Sequence, residues 1–196
     1  MAGAADPLGQ LTLNDIEVGA RLVEALVHSA TRLDAAPIAY PQLLELARFL
    51  DPKDAAMARA EVLGIASKLR FVAAFCQGSG YPNLASLAVH PASTAPGDEA
   101  ERRAIAACDW SHLPEKLAAY AKAAQAAVPP RFKPRKERPA EVSWYAYYSA
   151  HREACKAITS NDKKEVVNLV MAGLDPETAL RRFLAAKAAF EVSPPA

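Results

Sequence analysis

Apolar residues recur along most of this chain at the three-to-four-residue spacing of an amphipathic helix, and almost nowhere with the alternation of a strand. Ile16, Ala20, Val23, Ala25, Leu26, Val27 and Ala30 set a first helix that runs to about Leu33. Thr12 or Asn14 is placed to cap it, Asp15 and Glu17 sit in its first turn, and Asp34-Ala35-Ala36-Pro37 stops it. Tyr40-Pro41 begins a second helix, because a proline in the first turn gives up an N–H that has no helical partner anyway. Leu43, Leu44, Leu46, Ala47 and Leu50 form its core face, and Asp51-Pro52 ends it. A third helix follows, interrupted near Gly64, with an apolar stripe of Leu63, Ala66, Leu69, Val72, Ala73 and Cys76. Lys68 and Arg70 fall off that stripe and are expected to face solvent.

The pattern changes after Gly78-Ser79-Gly80. Leu84, Leu87 and Val89 predict one short strand, and Pro91 to Asp98 has the composition of a turn. Helical spacing returns from Asp98 to Ala107. It continues in a helix capped at Ser111 that carries Leu117, Tyr120, Ala121, Ala124 and Ala127. Pro129 to Pro139 reads P-P-R-F-K-P-R-K-E-R-P, and four prolines predict an extended, exposed linker. An aromatic helix is then expected from about Ser143. A helical hairpin follows, with Gly173 closing its first arm and Asp175-Pro176-Glu177 opening its second.

The Y-P-Q-L-L-E-L-A-R and G-Y-P-N-L-A-S-L-A-V-H stretches, with the long helix between them, resemble a winged-helix module. Such modules occur in bacterial and phage proteins and in the alkyltransferase-like DNA-binding fold. The resemblance implies that Lys68 and Arg70 lie on or near a helix facing DNA, with His90, Ser93 and Thr94 at the wing. It does not imply alkyl transfer, since the chain contains no P-C-H-R motif. The terminal hairpin resembles the first two helices of a helix-turn-helix and, equally, those of a ubiquitin-associated domain. No turn sets off a third helix after Leu184, so a hairpin that packs on the main domain or pairs with a second copy is the simpler expectation.

Net charge is +1, so attraction to nucleic acid has to come from a local patch. Arg131, Lys133, Arg135, Lys136 and Arg138 supply one, interrupted only by Glu137. Flexible basic arms bind phosphates through counterion release. Phe132 and the nearby Trp144, Tyr145, Tyr147 and Tyr148 offer rings for unpaired bases, or else pack into a C-terminal core. The cysteines Cys76, Cys108 and Cys155 are far apart and form no C-x-x-C pair, and no two histidines have helical ligand spacing. His151 and Cys155, four apart, share a helix face but have no orienting acid, so neither a metal site nor a cysteine nucleophile is expected. No signal peptide or spanning segment is read from the sequence, and no cofactor is implied.

The expected architecture is mainly α: a winged-helix-like domain with one small β-ribbon over 1–128, a basic Pro-rich linker over 129–140, and an aromatic helix with a helical hairpin over 141–196. The expected function is that of a non-enzymatic, cytoplasmic nucleic-acid-binding accessory or regulatory protein. The contacts would come from Lys68, Arg70, His90, Arg131, Lys133, Arg135, Lys136 and Arg138. The alternative is a phage-type adaptor or inhibitor that binds a protein complex through Trp144, Tyr145, Tyr148 and Phe190, since buried aromatics dominate interface energetics.

Overall fold

A computed structural model describes residues 11–91, 98–129 and 134–192. The fold is mainly α. Helix α1 spans Leu13–Arg32 and starts at a capping box in which Thr12 and Asp15 satisfy each other's backbone N–H groups. Its end is unusual: Asp34 and Ala35 both adopt φ of 52°. Two successive left-handed residues, neither of them glycine, reverse the chain into β1, Ile38–Ala39. Helix α2, Tyr40–Leu50, begins at the expected Tyr40-Pro41.

The expected third helix is three pieces. Helix α3 covers Ala55–Arg59, a 3-10 turn covers Val62–Gly64, and α4 covers Ile65–Ser79. The buried face of α4 keeps Leu69, Val72 and Cys76 of the expected stripe but is rotated away from its alanines. Phe71, Val72, Phe75 and Cys76 are buried, while Ala66 and Ala73 are only half-buried. The two phenylalanines set the orientation. A Cβ on Gly19 of α1 would lie 2.7 Å from Phe71 Cδ1, and Tyr120 packs edge-on against both rings at 5.6 and 5.5 Å between centroids. Gly19 thus lets α1 and α4 approach closely across a large aromatic side chain.

Beyond Gly80, whose φ is 73°, Leu84–Leu87 forms a 3-10 turn rather than a strand. Strand β2, Ala88–Val89, then pairs with β1 in parallel, Ile38 opposite Ala88 and Ala39 opposite Val89. Among the described residues this two-residue pair is the whole sheet. The ribbon therefore comes from two distant segments laid side by side, and the expected wing tip at Ser93 and Thr94 lies outside the described residues. Helix α5, Glu99–Ala106, is capped by Asp98. Helix α6, Leu113–Ala127, starts one residue later than expected, because the Ser111 side chain turns back to Asp109 and His112 takes the cap position.

Helix α7, Glu137–Ala150, begins earlier than the prolines suggested. Pro139 falls in the first turn, where no intrahelical N–H is lost, so the end of the presumed linker is helical. Helices α8, Lys163–Met171, and α9, Pro176–Val192, form the expected hairpin. Gly173 has a φ of 100°, and Asp175 accepts from the Thr178 N–H at 2.9 Å.

Apolar side chains bury in two clusters. One draws on residues from Ile16 to Leu117, the other on residues from Ala140 to Phe183. What joins them is charge. Asp15 is fully buried and accepts from the Thr12 N–H (2.9 Å), the Ser67 hydroxyl (2.7 Å) and Arg182 Nη2 (2.6 Å). Lys68, 2% exposed, sits 3.5 Å from Asp15 Oδ1 and 3.6 Å from Glu165 Oε1. Asn168 completes the set, donating to Glu165 at 3.3 Å and to the Arg59 carbonyl at 2.7 Å. Gly64 leaves the room: a Cβ there would collide with the Glu165 carboxylate and lie 2.9 Å from Lys68 Nζ. Two carboxylates and two cations are thus held out of water between α1, α4, α8 and α9.

The two acids respond to this setting in opposite directions. Burial raises the Asp15 carboxyl, but Lys68, Arg182, the Thr12 N–H and Ser67 together hold it well below the usual carboxylate range. Burial pushes the Glu165 carboxyl up, and Lys68 and Asn168 offset only part of that. A depressed pKa contributes stability that is present above the unfolded value, about 3.9 for Asp, and lost as pH falls. A raised one contributes stability that is present below the unfolded value, about 4.3 for Glu, and lost as pH rises. Asp15→Asn is therefore expected to cost about 3–5 kcal/mol at neutral pH, because it removes the buried negative charge that Lys68 and Arg182 share, and to flatten the acid limb of stability against pH. Glu165→Gln is expected to gain stability relative to the parent as pH rises from 5 to 8. Urea unfolding across pH measures both; parallel pH profiles for the parent and the two variants would contradict this assignment.

Candidate nucleic-acid interface

The residues expected to contact phosphate divide sharply. Lys68 does not reach solvent: it is an internal counter-ion for Asp15 and Glu165, which corrects its expected place on a DNA-facing surface. Arg70 stays half-exposed on α4. His90, expected at a wing, packs between rings instead, 4.1 Å from the Phe190 centroid and 6.0 Å from that of Tyr40. Phe190, expected to anchor a partner, is half-buried in that contact, which ties the end of α9 to the segment after β2. Arg131 and Lys133 lie outside the described residues.

The rest of the basic run is exposed and tied to the hairpin. The Arg135 N–H donates to the Met171 carbonyl at 2.7 Å, so the chain entering α7 is fastened to the end of α8. Lys136 is the N-cap of α7, and Arg138 is in its first turn; both are exposed. Arg138, Val142 and Tyr145, spaced i, i+4 and i+7, fall on one stripe of the helix. Val142 is 63% exposed and Tyr145 71%, so the stripe runs from a cation to an uncovered aromatic ring over roughly 10 Å.

The aromatic residues of α7 also divide. Trp144 is buried in the second cluster, its ring 6.1 Å from Tyr147 and 6.0 Å from Tyr148. Its expected direct contact with a partner is replaced by an internal role, holding the exposed edge in place. Tyr148 is 39% exposed. Between α7 and the start of α8 lies a pocket of about 260 Å³, walled by Trp144, Tyr145 and Tyr148 and closed by Ser160 and Lys163. A wider polar groove of about 460 Å³ adjoins it, shares Ser160 and Lys163, and carries Arg59 and Lys164 opposite Glu61, Glu137 and Glu141. Lys163 lies 3.7 Å from Glu141, a pair in which both side chains are about half exposed and which is correspondingly weak.

His151 and Cys155 do not share a helix face, because α7 ends at Ala150. His151 is exposed, stacks on Tyr147 at 4.2 Å, and places Nδ1 3.0 Å from the Tyr147 carbonyl oxygen. Cys155 is buried, and burial pushes its thiol up, away from thiolate. Among the described residues, no group of three or more His, Cys, Asp or Glu side chains is placed to hold a metal ion, and no helix is long and apolar enough to cross a membrane.

The sequence reading missed Lys163 and Ser160 as parts of the exposed site. A signal for them exists in S-N-D-K-K, a polar turn that opens an apolar helix, but nothing local shows which aromatic helix it will meet. Comparisons of the chain with protein-family models, with curated proteins and with solved structures find no match.

The division among the aromatics has a direct consequence for stability. Trp144→Ala is expected to destabilise the second cluster by about 3–5 kcal/mol. Tyr145→Ala is expected to change stability by no more than about 0.5 kcal/mol, as for an exposed residue. Thermal unfolding of the two variants checks the contrast, and equal losses would show that Tyr145 is also structural.

Proposed function

We propose that this chain is a non-enzymatic nucleic-acid-binding accessory protein whose contact surface is α7 and the segment leading into it. The observation that carries the reading is the stripe on which Arg138, Val142 and Tyr145 follow directly from exposed Arg135 and Lys136. Cations that are fully hydrated and uncommitted to buried pairs can exchange counterions for phosphates, and an exposed ring on the same face can stack. Arg131 and Lys133 would extend the patch at its near end. The winged-helix resemblance would add Arg70 as a second, more distant contact. Base-specific readout is not part of the proposal, since no pattern of Asn and Arg on a clear recognition helix supports it.

One observation favours a second reading, a protein-interaction module. Val142 is exposed in the middle of the stripe, and a phosphate gains nothing from it, whereas an apolar partner would. Salt separates the two readings. Phosphate binding weakens steeply with salt; an apolar contact does not.

Fluorescence anisotropy of the purified chain against labelled single- and double-stranded DNA and RNA, at low and physiological salt, is the test. Binding is expected at low salt and should fall with salt. Replacing Arg135, Lys136 and Arg138 with Ala should weaken it and flatten the salt slope by about 0.7 per lost contact on a single strand. Absence of binding to every probe at low salt would overturn the nucleic-acid reading and leave the protein-interaction one.

A further inference from the structure

We infer that the pocket between α7 and α8 receives one unpaired nucleobase, which makes the chain a single-strand binder; this rests on the nucleic-acid reading above and specifies its ligand. The pocket is mixed in character. Tyr145 and Tyr148 provide its apolar walls, backed by the buried Trp144, and about 260 Å³ accommodates one planar ring but not a folded element. Its rim is polar. Lys163 lines it, and the Ser160 side chain is exposed and makes no hydrogen bond among the described residues. A planar group with a polar edge, attached to an anion, satisfies all three features together. A nucleotide is such a group: the base against the rings, its edge at Ser160, its phosphate at Lys163.

The surroundings fit a chain of nucleotides better than a free one. The exposed cations Arg135, Lys136 and Arg138 lie toward the N-terminal end of the same helix, and Arg59 and Lys164 line the adjoining groove. A strand leaving the pocket toward the start of α7 therefore meets Arg135, Lys136 and Arg138, and one leaving by the groove meets Arg59 and Lys164 among the carboxylates of Glu61, Glu137 and Glu141. Glu141 opposes it, but its contact with Lys163 is solvent-exposed and gives way readily to a phosphate. A paired base cannot enter. Its edge is occupied by its partner and its faces by its neighbours, so a duplex would have to lose stacking first.

The walls are also pre-set. Trp144 is locked in the second cluster, and Tyr148 leans on it, so little ordering is needed when a ring arrives. Tyr145, the more exposed of the two tyrosines, is the outer wall.

The experiment compares three labelled probes of equal length on the full chain: oligothymidine, the same backbone carrying abasic sites, and a duplex. Oligothymidine is expected to bind at least about tenfold tighter than either of the others. Tyr145→Ala should remove that preference while leaving the weaker, salt-sensitive binding of the abasic probe and the duplex intact. Lys163→Gln should weaken oligothymidine with a smaller salt slope. Equal binding of all three probes, or a preference that survives Tyr145→Ala at unchanged thermal stability, overturns the base pocket and leaves the phosphate-binding stripe standing. No binding of any probe overturns both and assigns the aromatic edge to a protein partner.

Discussion

The buried carboxylate of Asp15 is the constraint on which the rest of the molecule depends. It collects bonds from its own helix through Thr12, from α4 through Ser67 and Lys68, and from α9 through Arg182. Each of these groups would be costly in the interior alone, and each is tolerable only because the others are present. Apolar packing between the two clusters supplies no such directionality. Leu63 reaching into the second cluster would tolerate a shift, but a network with fixed donors and acceptors tolerates little. The charges thus set the angle at which the hairpin lies against the first cluster. They also set where α7, packed on α8 and α9, presents its outer face.

That arrangement ties the interior to the proposed surface. Helix α8 carries Glu165 into the charge network on one side and Lys163, two residues earlier, into the pocket on the other. Its far end accepts the Arg135 N–H that starts α7. A single nine-residue helix therefore places the lysine of the pocket's rim and the origin of its aromatic wall. Movement of the hairpin relative to α1 and α4 would displace both together, so the site behaves as a rigid attachment to the network.

Local signals in the sequence placed several helix ends, though not the break of the third helix into three pieces or the early start of α7. The cap at Thr12, one of two positions the pattern offered, the Tyr40-Pro41 start and the Gly173 turn all act within three or four residues, and all appear where the pattern puts them. The fate of Lys68 was not legible. A lysine off an alanine-rich stripe looks solvated, and the groups that make its burial tolerable lie on α1 and α8. The bulk of Phe71 and Phe75, more than the count of apolar positions, decides which face of α4 turns inward. The same limit applies to the aromatics of α7. Their spacing shows that they share faces, but only the hairpin determines that Trp144 is covered and Tyr145 is left bare.

The separation of 167 residues between Asp15 and Arg182 also orders events during synthesis. Asp15, Ser67 and Lys68 are made long before the arginine that completes them. In that interval the face awaiting the hairpin carries charged groups open to water beside the apolar Leu63. A nascent chain with a hydrated docking face is slow to close and has little tendency to stick to its neighbours on the same message. Charge at the seam, expensive to desolvate in the finished protein, reduces the apolar surface that the unfinished one exposes.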